Sequence, residues 1–230
     1  MYKSEINWNS KLVRVKSIIK KQEYFDESIS LVLDLHSLVH SSNISGEKTP
    51  TLADEIFNGV SEECFRKEIV NKRTFAYNIW HITRIEDICV NILTADSEQV
   101  FTKGNWQEKI NSTIIDTGNA LTKEEILDFS SKINRDELMN YRTAVGIRTR
   151  EIINNLKPED MSLKMKPERL KRILDEGAVS QKEKAVWLVD FWGKKTVSGL
   201  LLLPVTRHHA MHLDSCVRIK EKNAKKFVSK

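Results

Sequence analysis

Cysteine is scarce: Cys64, Cys89 and Cys216 are the only three in 230 residues, and no two form a CxxC pair. An odd, scattered set excludes a disulfide framework and fits reduced thiols. Long hydrophobic runs are also missing. The longest apolar stretch, GLLLLPV from Gly199 to Val205, falls far short of the roughly 20 residues that span a bilayer. No amino-terminal run joins a basic flank to an apolar centre. The chain therefore reads as cytoplasmic, neither secreted nor membrane-embedded. Only eight glycines and four prolines punctuate it, and no alternating Val/Ile/Thr run sits between hairpin turns, so strands are not expected to organise the fold. Internal repeats and low-complexity stretches are lacking too.

Charge of one sign is in excess only at the ends. Residues 1–21 hold six Lys/Arg to one Glu, and residues 218–230 again six to one, against an overall net charge of +5. The body between them is mildly acidic. A duplex-binding domain gathers Lys/Arg on a folded face, whereas an excess in end segments more often marks solvated helix turns or frayed tails. Nucleic acid is not an expected partner.

What the sequence has in quantity is helical signal. With 40% hydrophobic content, the chain is long enough for one sizeable core and reads as one domain over 1–230, its core about 25–222 between short basic extensions. Glu27 to Val39 places Ile29, Leu31, Val32, Leu35, Leu38 and Val39 at spacings of three and four, one apolar stripe. A short helix is expected from Leu52 toward Phe57. A second long helix is expected over Phe75 to Leu93, its stripe running through Ile79, Ile82, Ile85, Ile88 and Ile92. Thr122 with Glu125, and Asn134 with Glu137, have capping-box spacing. The latter opens a third long helix to about Leu156, stopped by Lys157-Pro158. Pro167 and Gly177 bracket a small helix. The last helix starts near Thr196 or, after a break, at Pro204, and continues toward Lys222. Four long helices with long crossovers and short extra helices predict an all-α four-helix bundle.

The six histidines fall on these helices. In RHHAMHLDS, 207–215, His208 and His212 stand four apart and project side by side, while His209 is rotated by about 100°. An i,i+4 imidazole pair suits a divalent ion because a helix holds both nitrogens near one centre. Alone, such a pair is as often a core contact beside a solvent-facing residue. His81 strengthens the metal reading: it points to the side of Ile85, Ile88 and Ile92, where an unsatisfied ring nitrogen costs roughly 1–3 kcal/mol. The alternative for His81 is a core histidine bonded to a backbone carbonyl or water. His36 and His40 form a second i,i+4 pair at the edge of the first stripe, read either as lining the same cavity or as surface residues. Glu86 stands about 140° from His81 around the helix and reads as an inter-helix hydrogen-bond acceptor. Ser215, one turn past His212, is a pocket candidate whose alternative is a solvent-facing residue. Cys89 and Cys216 lie among apolar neighbours and read as packing.

NIWHITRIED at 78–87 followed by RHHAMHLDS at 207–215 resembles the DinB-like, YfiT-like superfamily of bacterial metal-binding four-helix bundles. The shared pattern is His, then Glu five residues later, on the second helix and HxxxH on the last. His81, Glu86, His208 and His212 match it, and the resemblance covers about residues 25–222. Two departures stand out. Ser215 occupies the place where many members carry glutamine, and the segment 157–195, with DFWGKK, is long for the family.

The resemblance implies a three-histidine site, His81, His208 and His212, for a divalent ion, zinc or nickel, with water or substrate completing the shell. It implies a metal-dependent enzyme of thiol-dependent transferase or hydrolase type, with a small-molecule substrate such as a low-molecular-weight thiol. The alternative is a metal-binding stress-response or binding module without catalysis. A homodimer stays open. A DNA-linked role is disfavoured by the acidic body.

Overall fold

The structure, a computed structural model, describes residues 8–46, 48–67 and 69–228. The outermost residues of both basic ends lie outside that range. Among the described residues the protein is all-helical, with two isolated β-bridges, Val70 to Arg73 and Lys164 to Thr196, and no strand. No helix among them is long and apolar enough to cross a membrane.

Five helices frame the molecule: α1 (Trp8–Ile18), α2 (Phe25–Val39), α3 (Phe75–Asp87), α4 (Arg135–Asn154) and α5 (His208–Val228). α1 occupies part of the N-terminal segment that charge alone marked as solvated turns or a frayed tail. It is held on α2 because Val15 and Ile18 are buried while Arg14 and Lys11 reach Glu27 and Asp34 across the seam. α2 begins two residues before the expected start and ends at Val39, with Val32, Leu35 and Val39 inward. The short helix Leu52–Phe57 starts on a full capping box between Thr51 and Asp54. Thr122 and Glu125 form another before Lys123–Lys132. Asn134 caps α4 through the Glu137 amide.

α3 departs from the expected stripe. All thirteen of its residues are buried, because it packs against both α4 and α5 and the segment after Ile110 crosses its remaining side. Thr74 caps it by accepting from the Tyr77 amide, and Ser130 satisfies the same hydroxyl at 2.7 Å. The helix then continues as a π-helical segment, Ile88–Thr94. Both openings expected for the last helix occur in one continuous rod. Thr196 caps Val197–Leu202, the chain widens into a π-helical turn at Leu203–Arg207, and α5 follows at once. Pro204 has no N–H to give the ladder, and a widened turn at such a residue lets the rod continue.

Two apolar clusters build the core. One gathers Phe75, Ala76, Ile79, Trp80 and Ile82 of α3 with α4, the middle of α5 and the short helices after α2. The other takes Ile85, Ile88, Ile92 and Leu93 with α1, α2 and the extra segment 157–195, whose Met161, Ile173, Leu188 and Trp192 are buried in it. Between the two clusters α3 carries Thr83, Arg84, Glu86 and Asp87 in full burial. A polar layer therefore crosses the core where the clusters meet.

Candidate metal centre

Among the described residues, two groups of side chains have ligand atoms within 4.8 Å of one another and the residue types to hold a metal ion: His81, His208 and His212, and separately His36, His40 and Glu86. The first joins α3 to α5 across more than 120 residues of sequence. Ring centroids are 4.7 Å apart for His81 and His212, 5.1 Å for His81 and His208, and 4.6 Å for His208 and His212.

What distinguishes the groups is which ring nitrogen carries the proton, and the partners decide that. His81 Nδ1 lies 2.7 Å from the Thr117 carbonyl oxygen, which can only accept, so Nδ1 is the protonated nitrogen. His212 Nδ1 lies 2.7 Å from Asn78 Oδ1. The amide orientation is fixed because Asn78 Nδ2 donates to the Thr74 carbonyl at 2.8 Å. His212 is therefore also protonated at Nδ1. Both rings keep the Nε2 lone pair for another partner, the pattern by which ligating histidines are oriented by the groups behind them. His208 Nδ1 is buried with no hydrogen-bond partner, an orphaned nitrogen of the kind a cation satisfies.

Protonation favours the same use. Burial pushes His81 down to about 4 and holds His208 and His212 well below the ordinary imidazole range, and the positive charge of Arg73 acts on all three in the same direction. Neutral rings are what a divalent ion requires.

In the second group the Nε2 edges converge on a carboxylate, while His36 Nδ1 and His40 Nδ1 are buried without a partner, as His208 Nδ1 is. Glu86 receives His36 Nε2 at 2.8 Å on one oxygen and His40 Nε2 at 2.9 Å on the other. His209 joins them, its Nε2 3.0 Å from Glu86 Oε2 though too bent for a straight hydrogen bond. On its far side His209 Nδ1 faces both terminal nitrogens of Arg142 at 3.3 Å. A guanidinium can only donate, so the His209 proton sits on Nε2, toward Glu86. All of these rings and the carboxylate are fully buried. Burial raises the Glu86 pKa, but His40, His209 and His36 outweigh it and hold the group well below the ordinary carboxylate range. Arg142, desolvated to about 10, also donates to the Val39 carbonyl at 2.6 Å. The cluster is thus a buried ion pair, Arg142 and Glu86, bridged by an imidazole and tying together α2, α3, α4 and α5.

The structure sorts the residues singled out in the sequence accordingly. His81, His208 and His212 come together. His36, His40 and Glu86 come together elsewhere, with Glu86 accepting between helices. Ser215 joins neither group; it is partly exposed, and its Oγ donates to the Met211 carbonyl of its own helix at 3.3 Å. Cys89 and Cys216 are fully buried, and burial raises both thiols, Cys216 to a value outside the range of reactive thiolates.

Sequence reasoning missed three contributors, Asn78, Thr117 and Arg142, and separated His209 from the pair without finding its partners. Of the three, Asn78 left a usable signal, lying three residues before His81 on the same helix. Thr117 and Arg142 are brought in by segments remote in sequence.

The loop carrying Thr117 is stitched to one face of α3. Tyr77 Oη, Trp80 Nε1, His81 Nδ1 and Arg84 Nε donate to the carbonyls of Gly118, Asp116, Thr117 and Ile115. Residues spaced by three and four on one helix face grip four consecutive carbonyls, which fixes the His81 ring. No family model matches the sequence, and no curated protein does.

Proposed function

We propose that the protein is a metalloprotein of the DinB-like, YfiT-like four-helix-bundle type, with a divalent ion, zinc or nickel, held by His81, His208 and His212. In this reading it is a metal-dependent enzyme of thiol-dependent transferase or hydrolase type. One observation carries the metal assignment: the Thr117 carbonyl and Asn78 Oδ1 each take the Nδ1 proton of a histidine and leave the opposite nitrogen unprotonated toward the shared centre. Three neutral donors face one another with no carboxylate among them.

The ion would supply Lewis acidity and a lowered pKa for a water or thiol brought to it. The chain's own residues do the rest. Thr117 and Asn78 hold two rings in one tautomer and orientation, the loop carrying Thr117 covers one face of α3, and His208 is half-buried. All three cysteines are buried, so a reacting thiol would be a separate molecule.

The reading is tested by incubating zinc- and nickel-loaded protein with a low-molecular-weight thiol and an electrophilic acceptor, and in parallel with small ester and amide substrates. Turnover in one series that scales with bound metal and is lost in His208→Ala supports it. Bound metal with no turnover in either series supports the binding-module alternative instead.

A further inference from the structure

The segment 157–195, long for the bundle type that the sequence resembles, helps to wall a cleft of its own. Its two ends are tied together: the Val197 amide donates to the Leu163 carbonyl at 3.0 Å, and Lys164 and Thr196 form one of the two isolated β-bridges. That closure brings Ser162, Thr196 and Ser198 to one cavity of about 250 Å³, which the corner between α1 and α2 completes. None of the residues lining it belongs to either histidine group.

The lining divides by chemistry. Ile19, Phe25, Pro158 and Met161 supply apolar wall, and Ile19 and Met161 are part of the buried core behind it. A tight turn at Gln22–Tyr24 joins α1 to α2, and just before it stand the two charged side chains of the lining, Lys20 and Lys21, both exposed. The hydroxyls leave one proton over. Thr196 Oγ1 and Ser198 Oγ lie 2.9 Å apart, and Thr196 Oγ1 also accepts from the Gly199 amide at 3.3 Å. Whichever hydroxyl donates within the pair, one of the two protons is used there, and the other has no protein acceptor among the described residues. Ser198 is only 1% exposed, and a polar group left unpaired in such a setting costs roughly 1–3 kcal/mol. The cleft that both residues line is where an acceptor can reach them.

We infer that this cleft binds a small amphipathic anion. Its apolar body lies against Phe25, Pro158 and Met161, and its anionic oxygen head, a carboxylate or a phosphate ester, takes the spare hydroxyl proton and faces the two ammonium groups. Apolar walls with a few placed polar groups are the usual make-up of a ligand site, the walls giving affinity and the polar groups orientation. Lysine acts as a mobile point charge rather than a planar fork, so the head is selected by charge. Size selects the body: about 250 Å³ lies below the roughly 300–1,000 Å³ of sites for drug-sized molecules, which confines the class to a short chain or a single ring. The inference goes beyond the metal reading, and either can fail without the other.

The test titrates the full chain with hexanoate, hexyl phosphate and hexan-1-ol, which share a tail, and follows backbone amide shifts by NMR. Wild type should bind at least one of the anions about tenfold or more tightly than hexan-1-ol, as a charge-assisted contact predicts, with the shifts gathered at Lys20, Lys21, Ser162 and Ser198. The double variant Lys20→Gln, Lys21→Gln should lose that ratio and keep its affinity for hexan-1-ol. The anion with the larger lysine-dependent gain identifies the head. Ser162→Phe, which puts a ring at an exposed position of the lining, should weaken all three ligands about tenfold or more. Absence of binding by wild type, shifts that gather elsewhere, or an anion preference unchanged in the lysine variant overturns the proposal. Should Ser162→Phe fold poorly, the lysine variant still decides, because both its positions are exposed.

Discussion

His209 has no route to the ion through either nitrogen: Arg142 occupies one and the proton facing Glu86 occupies the other. Removing its ring leaves a guanidinium and a carboxylate buried without their bridge. His209→Ala is therefore expected to lose about 1–3 kcal/mol of stability, the range for leaving a buried polar group without its partner, while keeping its metal. Denaturant titration beside metal analysis checks both halves, and a variant that lost metal at unchanged stability would put His209 among the ligands. Asn78 predicts the converse. With the His212 ring no longer held by Oδ1, Asn78→Ala should bind metal about 10–100-fold more weakly, measured by competition with a chromogenic chelator. Equal affinity would mean that the amide does not orient the ligand. Helix arithmetic from the sequence carried the His208–His212 pairing and the separation of His209, because those angles are local. The destination of His209 was not legible, since Arg142 and Glu86 reach it from other helices.

At the scale of elements, helix starts were readable because Thr51, Thr122, Asn134 and Thr196 mark them with side chains that bond the next turn. The all-round burial of α3 was not readable. Asn78, Thr83, Arg84, Glu86 and Asp87 have the composition of a solvated face, yet each finds a partner. Asp87, for example, accepts from Tyr141 Oη and from the Val100 and Phe101 amides. Those partners lie outside the helix, so periodicity cannot announce them. Close approach also limits what α4 tolerates. A Cβ added at Gly146 would stand 2.7 Å from Ile44 Cδ1 and 2.8 Å from His40 Nδ1, so the ring that holds Glu86 would have to move. Gly146→Ala gains up to about 1 kcal/mol of helix propensity against about 1–3 kcal/mol of overpacking. A net loss of stability is expected in thermal denaturation, and an increase would show that His40 has room to shift.

Over the whole molecule, acid should act through the buried histidines before the carboxylates. Burial lowers His81 and His209 to about 4 and holds His40 well below its ordinary value, whereas an unfolded chain protonates histidine near 6.5. The unfolded state therefore binds more protons between those values. The stability of the metal-free protein is full above about pH 6.5 and falls as pH drops toward about 4, by roughly 3 kcal/mol for each such group at most. Glu86, held below its ordinary range, adds its loss only lower, where unfolded carboxylates protonate. A urea midpoint that stays flat from pH 7 to 4.5 would contradict these assignments. The ion itself should add less than the core does, because two apolar clusters extend through the chain. Binding contributes about 2.7 kcal/mol at a hundredfold excess over Kd. The His208→Ala, His212→Ala double variant is expected to stay helical and cooperative by circular dichroism, and a coil spectrum would make the site structural.

The central claim, that the ion belongs to His81, His208 and His212 and not to the group around Glu86, is tested most directly by metal content. Wild type, His81→Ala and His36→Gln are purified, saturated with zinc, desalted and analysed by mass spectrometry. The tautomers fixed by Thr117, Asn78 and Arg142 predict about one equivalent per chain in wild type and in His36→Gln, and none in His81→Ala, as a single three-histidine site requires. Metal kept by His81→Ala and lost from His36→Gln would contradict the account.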